Sequence, residues 1–89
     1  MKWLVYIVEC SNRSLYTGIT NNLDRRIQEH NSKEGARYTR AFRPVKLLWS
    51  EGHRNRSSAL KREAQIKKWT RGNKEALIKG DLELLKKYG

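Results

Sequence analysis

Two short runs of β-branched and aromatic residues, "KWLVYIVE" and "LYTGIT", are separated only by the segment Cys10 to Ser14. Both are short and have the composition of strands. Ser11, Asn12 and Ser14 in the link favour a turn, because their side chains bond to the local backbone. The two runs therefore read as a β-hairpin. Gly18 inside the second run signals a bulge or a close backbone approach. Directly afterwards Asn21 or Asn22 can cap a helix, and Asp24 suits its positive N-terminal end. Leu23 and Ile27, four residues apart, give that helix its core contact, and it should run from Leu23 to about Asn31.

"VKLLWSEG" reads as a third strand, antiparallel to one of the first two. Ser57 or Ser58 can cap a second helix that extends through Trp69. "GNKEALIKG" and "DLELLKKYG" read as two short helical pieces divided by Gly80, with Asp81 as a cap for the last. The order is β-β-α-β-α-α. It implies an α+β fold, a small three-stranded antiparallel sheet flanked by helices. With 89 residues, the chain should form one domain over 1–89 with one modest core.

Charge narrows the range of partners. There are 20 Lys and Arg against 9 Asp and Glu, a net charge of +11. Such an excess attracts polyanions, and nucleic acid is the default partner of so basic a chain. An anionic membrane is the competing default, but the longest apolar run is far too short to span a bilayer. The opening "MKWLVYIVECSNR" has only a short apolar segment closed by Glu9, unlike a secretory signal. Cys10 is the single cysteine, which excludes an internal disulfide and a cysteine-based zinc site. A reducing cytoplasm is the simplest location.

Two places could carry chemistry. On the first helix Arg26 and His30 are four residues apart and share a face, at the border between core and solvent. A solvated basic face is the plainer explanation. Against it, Tyr6 and Tyr16 lie on neighbouring strands of the hairpin, and the short turn into the helix brings Arg26 back towards them. On the second helix Ala59, Leu60, Ala64 and Ile66 form an apolar arc with Glu63 inside it. Lys67 is close by on the helical wheel. Glu63 and Lys67 could be a simple helix pair with their stems along apolar surface. Alternatively Glu63 could ligate a metal, since a carboxylate with waters and a substrate phosphate is the usual way to hold Mg²⁺.

Together Tyr, Tyr, Arg, His and Glu suit phosphodiester hydrolysis. A carboxylate-held cation polarises the phosphate and stabilises the leaving oxygen. Arg offers bidentate contacts to the developing charge. A Tyr beside a metal and cationic groups should have a lowered pKa and could take a proton from the attacking water. A single carboxylate favours one metal ion over two.

At these residues the chain resembles the GIY-YIG endonuclease superfamily, in particular its small single-domain bacterial members. Leu4-Val5-Tyr6 corresponds to the first motif and Tyr16-Thr17-Gly18 to the second. Arg26 and His30 fall where that family has its helix Arg and His. Glu63, in "ALKREAQIKKW", falls where it has its metal-binding Glu. Leu4 and Val5 replace the motif's Gly and Ile but keep the Tyr. The resemblance implies Tyr6 as general base, Tyr16 as orienting water or phosphate and supporting the base, and Arg26 as transition-state stabiliser. It implies assistance by His30, one Mg²⁺ or Mn²⁺ on Glu63, and close passage of backbone at Gly18. Many members carry an Asn well after the Glu; Asn73 is the available residue and is not assigned.

Arg25 should point to a different face from Arg26, as a phosphate contact or a solvated side chain. The loop cations Arg37, Arg40 and Arg43, with Tyr38 and Phe42 among them, could track a nucleic-acid backbone and stack a base. Tyr38 and Phe42 could equally anchor the loop to the core. The leading functional expectation is a metal-dependent nuclease acting on DNA, structure-selective in repair or processing, with specificity supplied by a protein partner. RNA is the second substrate class. A non-catalytic nucleic-acid-binding module on the same scaffold is the alternative, and a protein-interaction adaptor is the third. The presence of all five site residues favours the nuclease, because a decayed scaffold is expected to lose one.

Overall fold

The computed structural model describes residues 2–32 and 42–80. Three strands, β1 (Trp3–Glu9), β2 (Leu15–Thr20) and β3 (Lys46–His53), alternate with three helices, α1 (Leu23–Asn31), α2 (Arg56–Lys67) and α3 (Arg71–Lys79). The chain order is the expected β-β-α-β-α-α. The sheet is antiparallel in the order β2-β1-β3, so β3 pairs with β1 and β2 is an edge strand. The expected last helical piece at 81–89 lies outside the described residues, as do Arg37, Tyr38 and Arg40. No helix among the described residues is long and apolar enough to cross a membrane.

The alternation of strand side chains divides the core in two. Val5 and Ile7 face α2 and pack with Ala59 and Ile66, surrounded by Trp3, Leu15, Ile19, Trp49 and Trp69. Tyr6, Val8 and Cys10 point the other way and pack with Val45, Tyr16, Leu23 and Ile27. Full burial of a side chain such as Val5, Ile7 or Ile66 stabilises the fold by about 1.5–3 kcal/mol. The central strand thus supplies apolar side chains to both faces, and it places Tyr6 beneath α1.

Side-chain caps set the helix limits. Asn22 Oδ1 accepts the Arg25 N–H at 3.1 Å and starts α1 where expected. For α2 the cap is Asn55 rather than Ser57 or Ser58. Its Oδ1 accepts the Ser58 N–H at 2.8 Å, which puts both serines inside the first turn. Ser58 Oγ instead lies 2.7 Å from His53 Nδ1, and His53 Nε2 lies 2.7 Å from Glu51 Oε2. This polar chain ties the end of β3 to α2. α2 closes at Lys67, two residues before the expected end, and Thr70 then caps α3. Gly80, in the left-handed region at φ 74°, ends α3.

The apolar stripe of α2 is narrower than the wheel suggested. Ala59 and Ile66 are buried, whereas Leu60 and Ala64 are exposed. Glu63 lies four residues after Ala59 and three before Ile66, on the same stripe, and its side chain is only 18% exposed.

Candidate active site

Tyr6 is the centre of the site. It is completely buried at the middle of β1, opposite Gly18 of β2. A Cβ on Gly18 would stand 2.5 Å from Tyr6 Oη and 2.7 Å from Cζ. Gly18 therefore marks the close approach, not a bulge: the β1–β2 register runs unbroken through it. The Tyr6 ring lies over the space a side chain would fill, and its hydroxyl is carried towards α1.

Two residues of α1 meet that hydroxyl. His30 Nε2 is 2.8 Å from Tyr6 Oη, and Arg26 Nε donates to the same oxygen at 3.3 Å. Their four-residue spacing stacks them on one helix face. His30 is fully buried rather than at a core–solvent border, because the sheet beneath it offers a polar partner. Tyr16 closes the group. Its ring centroid is 6.5 Å from that of Tyr6 and 5.3 Å from that of His30, edge-on to the imidazole.

Burial dominates the electrostatics. It pushes the Tyr6 phenol above its ordinary value of 10.0, against the hydrogen bond and charge of Arg26, and Tyr16 and Glu63 add to the rise. Desolvation outweighs the single guanidinium, so the protein groups by themselves raise the phenol. Burial and the nearby Arg26 charge lower the pKa of His30 below 6.5. Burial also opposes the charge of Arg26, but its contacts with Tyr6 and Glu29 outweigh this and hold it more firmly protonated.

These directions favour a neutral Tyr6 and a neutral His30 near neutral pH. Arg26 can only donate, so Tyr6 Oη accepts from it. The neutral imidazole can accept the phenolic proton at Nε2 in the tautomer protonated on Nδ1. The chain then runs from Arg26 through Tyr6 to His30.

The two arginines of α1 separate as the sequence suggested. Arg25 is largely exposed and pairs with Glu29 at 3.4 Å. Arg26, more buried, reaches the same carboxylate at 3.4 Å as well as Tyr6. Glu29 was not singled out from the sequence, although its spacing of four from Arg25 and three from Arg26 is the signal that finds it. Arg43, the described member of the loop cations, is half-buried, and its neighbour Phe42 accepts the Ser11 N–H through its carbonyl.

Glu63 stands on α2 and is linked to the group by its charge and through Lys67. Its charge is felt at Tyr6, and its carboxylate lies 3.6 Å from Lys67 Nζ, which is itself 6.0 Å from the Tyr16 ring centroid. Glu63 thus makes the simple helix pair with Lys67, the residue of α2 that approaches Tyr16 on the edge strand β2. Among the described residues no three His, Cys, Asp or Glu side chains form a metal cage. One carboxylate leaves most of a cation's positions to water and phosphate oxygens, a donor set that suits Mg²⁺ or Mn²⁺ and not zinc. A cleft of about 230 Å³ lined by Glu9, Leu15, Leu48, Arg71 and Glu75 contains none of these site residues.

The family model of the GIY-YIG catalytic domain matches residues 2–76, which include all five of these side chains. The chain belongs to the GIY-YIG family. A UPF0213 protein of Syntrophus aciditrophicus is 56% identical over 80 residues, covering 89% of this GIY-YIG chain and 92% of that relative. One from Desulfotalea psychrophila is 55% identical over 78 residues, covering 86% and 71%. Two solution NMR structures share the fold. The UPF0213 protein of Bacillus halodurans is 39% identical with a TM-score of 0.58, covering 89% of this chain and 84% of that one. A protein of E. faecalis is 40% identical with a TM-score of 0.63, covering 90% and 85%. The GIY-YIG domain is a nuclease-type domain, so the cluster around Tyr6 lies in a fold associated with cutting nucleic acid.

Proposed function

We propose that the protein is a nuclease that hydrolyses phosphodiester bonds, with DNA as the favoured substrate and branched or damaged structures as its targets in repair or processing. The observation that carries this reading is the chain Arg26–Tyr6–His30, locked into place by the missing side chain of Gly18. A buried phenol between a fixed cation and a neutral imidazole is poorly explained by packing alone, since an apolar ring would fill the space without polar partners.

The reading assigns each residue a task. Tyr6 Oη takes a proton from the attacking water as its own proton passes to His30 Nε2. The relay leaves no isolated phenolate, which the raised Tyr6 pKa would resist, but it charges His30 transiently against burial and Arg26, so passing the proton onward is the costly part of the step. Arg26, permanently charged and partly exposed, faces the negative charge that grows on the phosphate. Tyr16 packs against both rings and orients the relay. Glu63 would hold one Mg²⁺ or Mn²⁺, which when bound supplies Lewis-acid polarisation of the phosphate and stabilises the leaving oxygen. Arg25, and Arg37, Tyr38, Arg40 and Arg43 from the loop before β3, are assigned to backbone contacts, and a protein partner to the choice of substrate.

The test is incubation of the purified protein with branched, nicked and plain duplex DNA in Mg²⁺, Mn²⁺ or EDTA. Metal-dependent cleavage is expected. Tyr6→Phe and Glu63→Gln should each lower its rate by about 100-fold or more. Salt-sensitive binding without cleavage of any substrate would point instead to a nucleic-acid-binding module.

A further inference from the structure

Lys67 occupies an unusual position for a surface lysine. It leaves α2 on the same side as Glu63, and its ammonium lies 3.6 Å from that carboxylate. The same ammonium stands 6.0 Å from the centre of the Tyr16 ring, at the outer limit of a cation–π contact. It therefore lies close to both the carboxylate and the Tyr16 ring, where it would compete with a cation for Glu63.

The hold of Glu63 on Lys67 is weak. The Lys67 side chain is half exposed, and a helix pair of this kind stabilises by about 0.3–0.5 kcal/mol. A second ammonium adds to the local positive charge. Lys74 on α3 is half-buried, and burial and the Lys67 charge both lower its pKa. Lys67 therefore feels both the Glu63 carboxylate and a second ammonium.

We propose that Lys67 is an exchangeable counter-ion of the site: it neutralises Glu63 in the metal-free protein, yields the carboxylate to a divalent cation, and then binds a backbone phosphate of the nucleic acid. The exchange moves no covalent bond: a divalent cation takes the ammonium's place on the carboxylate, and the two added positive charges favour a phosphate beside it. It rests on the assignment of Glu63 as the metal ligand. It gives the protein a bias in the order of events, because the ammonium is more available to phosphate once the metal holds the carboxylate.

The test uses binding rather than cleavage. Mn²⁺ affinity of the full chain is measured by electron paramagnetic resonance for the wild type, Lys67→Ala, Lys67→Arg and Glu63→Gln, each shown by circular dichroism to be folded. Affinity for a duplex DNA is measured in parallel in EDTA and in Ca²⁺. Without nucleic acid, Lys67→Ala should bind Mn²⁺ about two- to tenfold more tightly, because it removes both a competitor and a like charge. Lys67→Arg should stay near the wild type. The same Ala variant should lose more DNA affinity in Ca²⁺ than in EDTA. Mn²⁺ binding that depends on Glu63 but is unchanged or weaker in Lys67→Ala would overturn the exchange and leave the metal site standing. An equal loss of DNA affinity in Ca²⁺ and EDTA would also overturn it. If Glu63→Gln binds Mn²⁺ as well as the wild type, the metal assignment itself fails and the exchange with it.

Discussion

Replacing Gly18 by alanine tests the packing that holds Tyr6. The new Cβ would lie 2.5 Å from Tyr6 Oη, whereas ordinary contact begins at 3.4 Å, so the end of the ring must retreat by about 0.9 Å. The ring is fully buried, and its hydroxyl is bonded to His30 and Arg26, so retreat stretches both bonds. Overpacking of this kind costs about 1–3 kcal/mol. Against it stands a gain of about 0.4–1 kcal/mol, because alanine reduces the entropy of the unfolded chain. Gly52 on β3 isolates that gain, since its added Cβ would meet nothing closer than 3.9 Å. Urea denaturation should show Gly18→Ala less stable than Gly52→Ala by about 1–3 kcal/mol, with Gly52→Ala near or slightly above the wild type. In a Tyr6→Phe background the penalty at Gly18 should shrink, as the closest clashing atom is gone. Equal stability of the two alanine variants would refute the claim that Gly18 is present to admit the phenol.

Further consequences are open to measurement. Thr17 Oγ1 is buried without a hydrogen-bond partner among the described residues, so the near-isosteric Thr17→Val should raise stability by about 1 kcal/mol, or about 4–8 °C in Tm. The lowered pKa of His30 makes stability pH-dependent: above 6.5 its contribution is fully present, and it is lost as pH falls from 6.5 towards the folded-state value, because the unfolded chain takes a proton that the buried imidazole refuses. Urea midpoints at pH 7.5 and 5.0 should therefore differ more in the wild type than in His30→Gln. Asn55→Ala should cost about 1 kcal/mol through loss of the α2 cap, while Ser57→Ala costs little, a contrast that thermal melting would register.

The hairpin and α1 were legible because their signals are local. Strand-like runs around a turn fix β1 and β2, and Asn22, Leu23 and Ile27 mark the helix. The start of α2 was misread because serine and asparagine are both good caps, and only the contact between Ser58 and His53 shows which residue is free to cap. The width of the α2 stripe was overestimated for a related reason. A wheel shows which residues share a face, but not how much of that face the sheet covers. Arg26 and His30 could be placed on one helix face from their spacing, yet the depth of His30 depends on Tyr6, 24 residues away. The rise that burial gives Tyr6 was not legible, because nearby charges can be counted along a chain, whereas desolvation is a property of the packed interior. Lys67 was read only as a partner for Glu63, since its approach to Tyr16 is a contact between α2 and β2 that helical spacing cannot reveal.

The junction between β2 and α1 is made of Asn21 and Asn22 alone, and Asn22 is committed to the cap. This gives chain length a chemical meaning at that point. Each residue added to or removed from an α-helix shifts its phase by about 100°. A one-residue deletion would therefore turn Arg26 away from Tyr6 Oη and offer Ile27 in its place, whereas a one-residue insertion would offer Arg25. Point substitutions at Asn21 should be tolerated where a deletion is not. In the stretch from Tyr16 to His30, the count of residues is as much a determinant of the site as their identities.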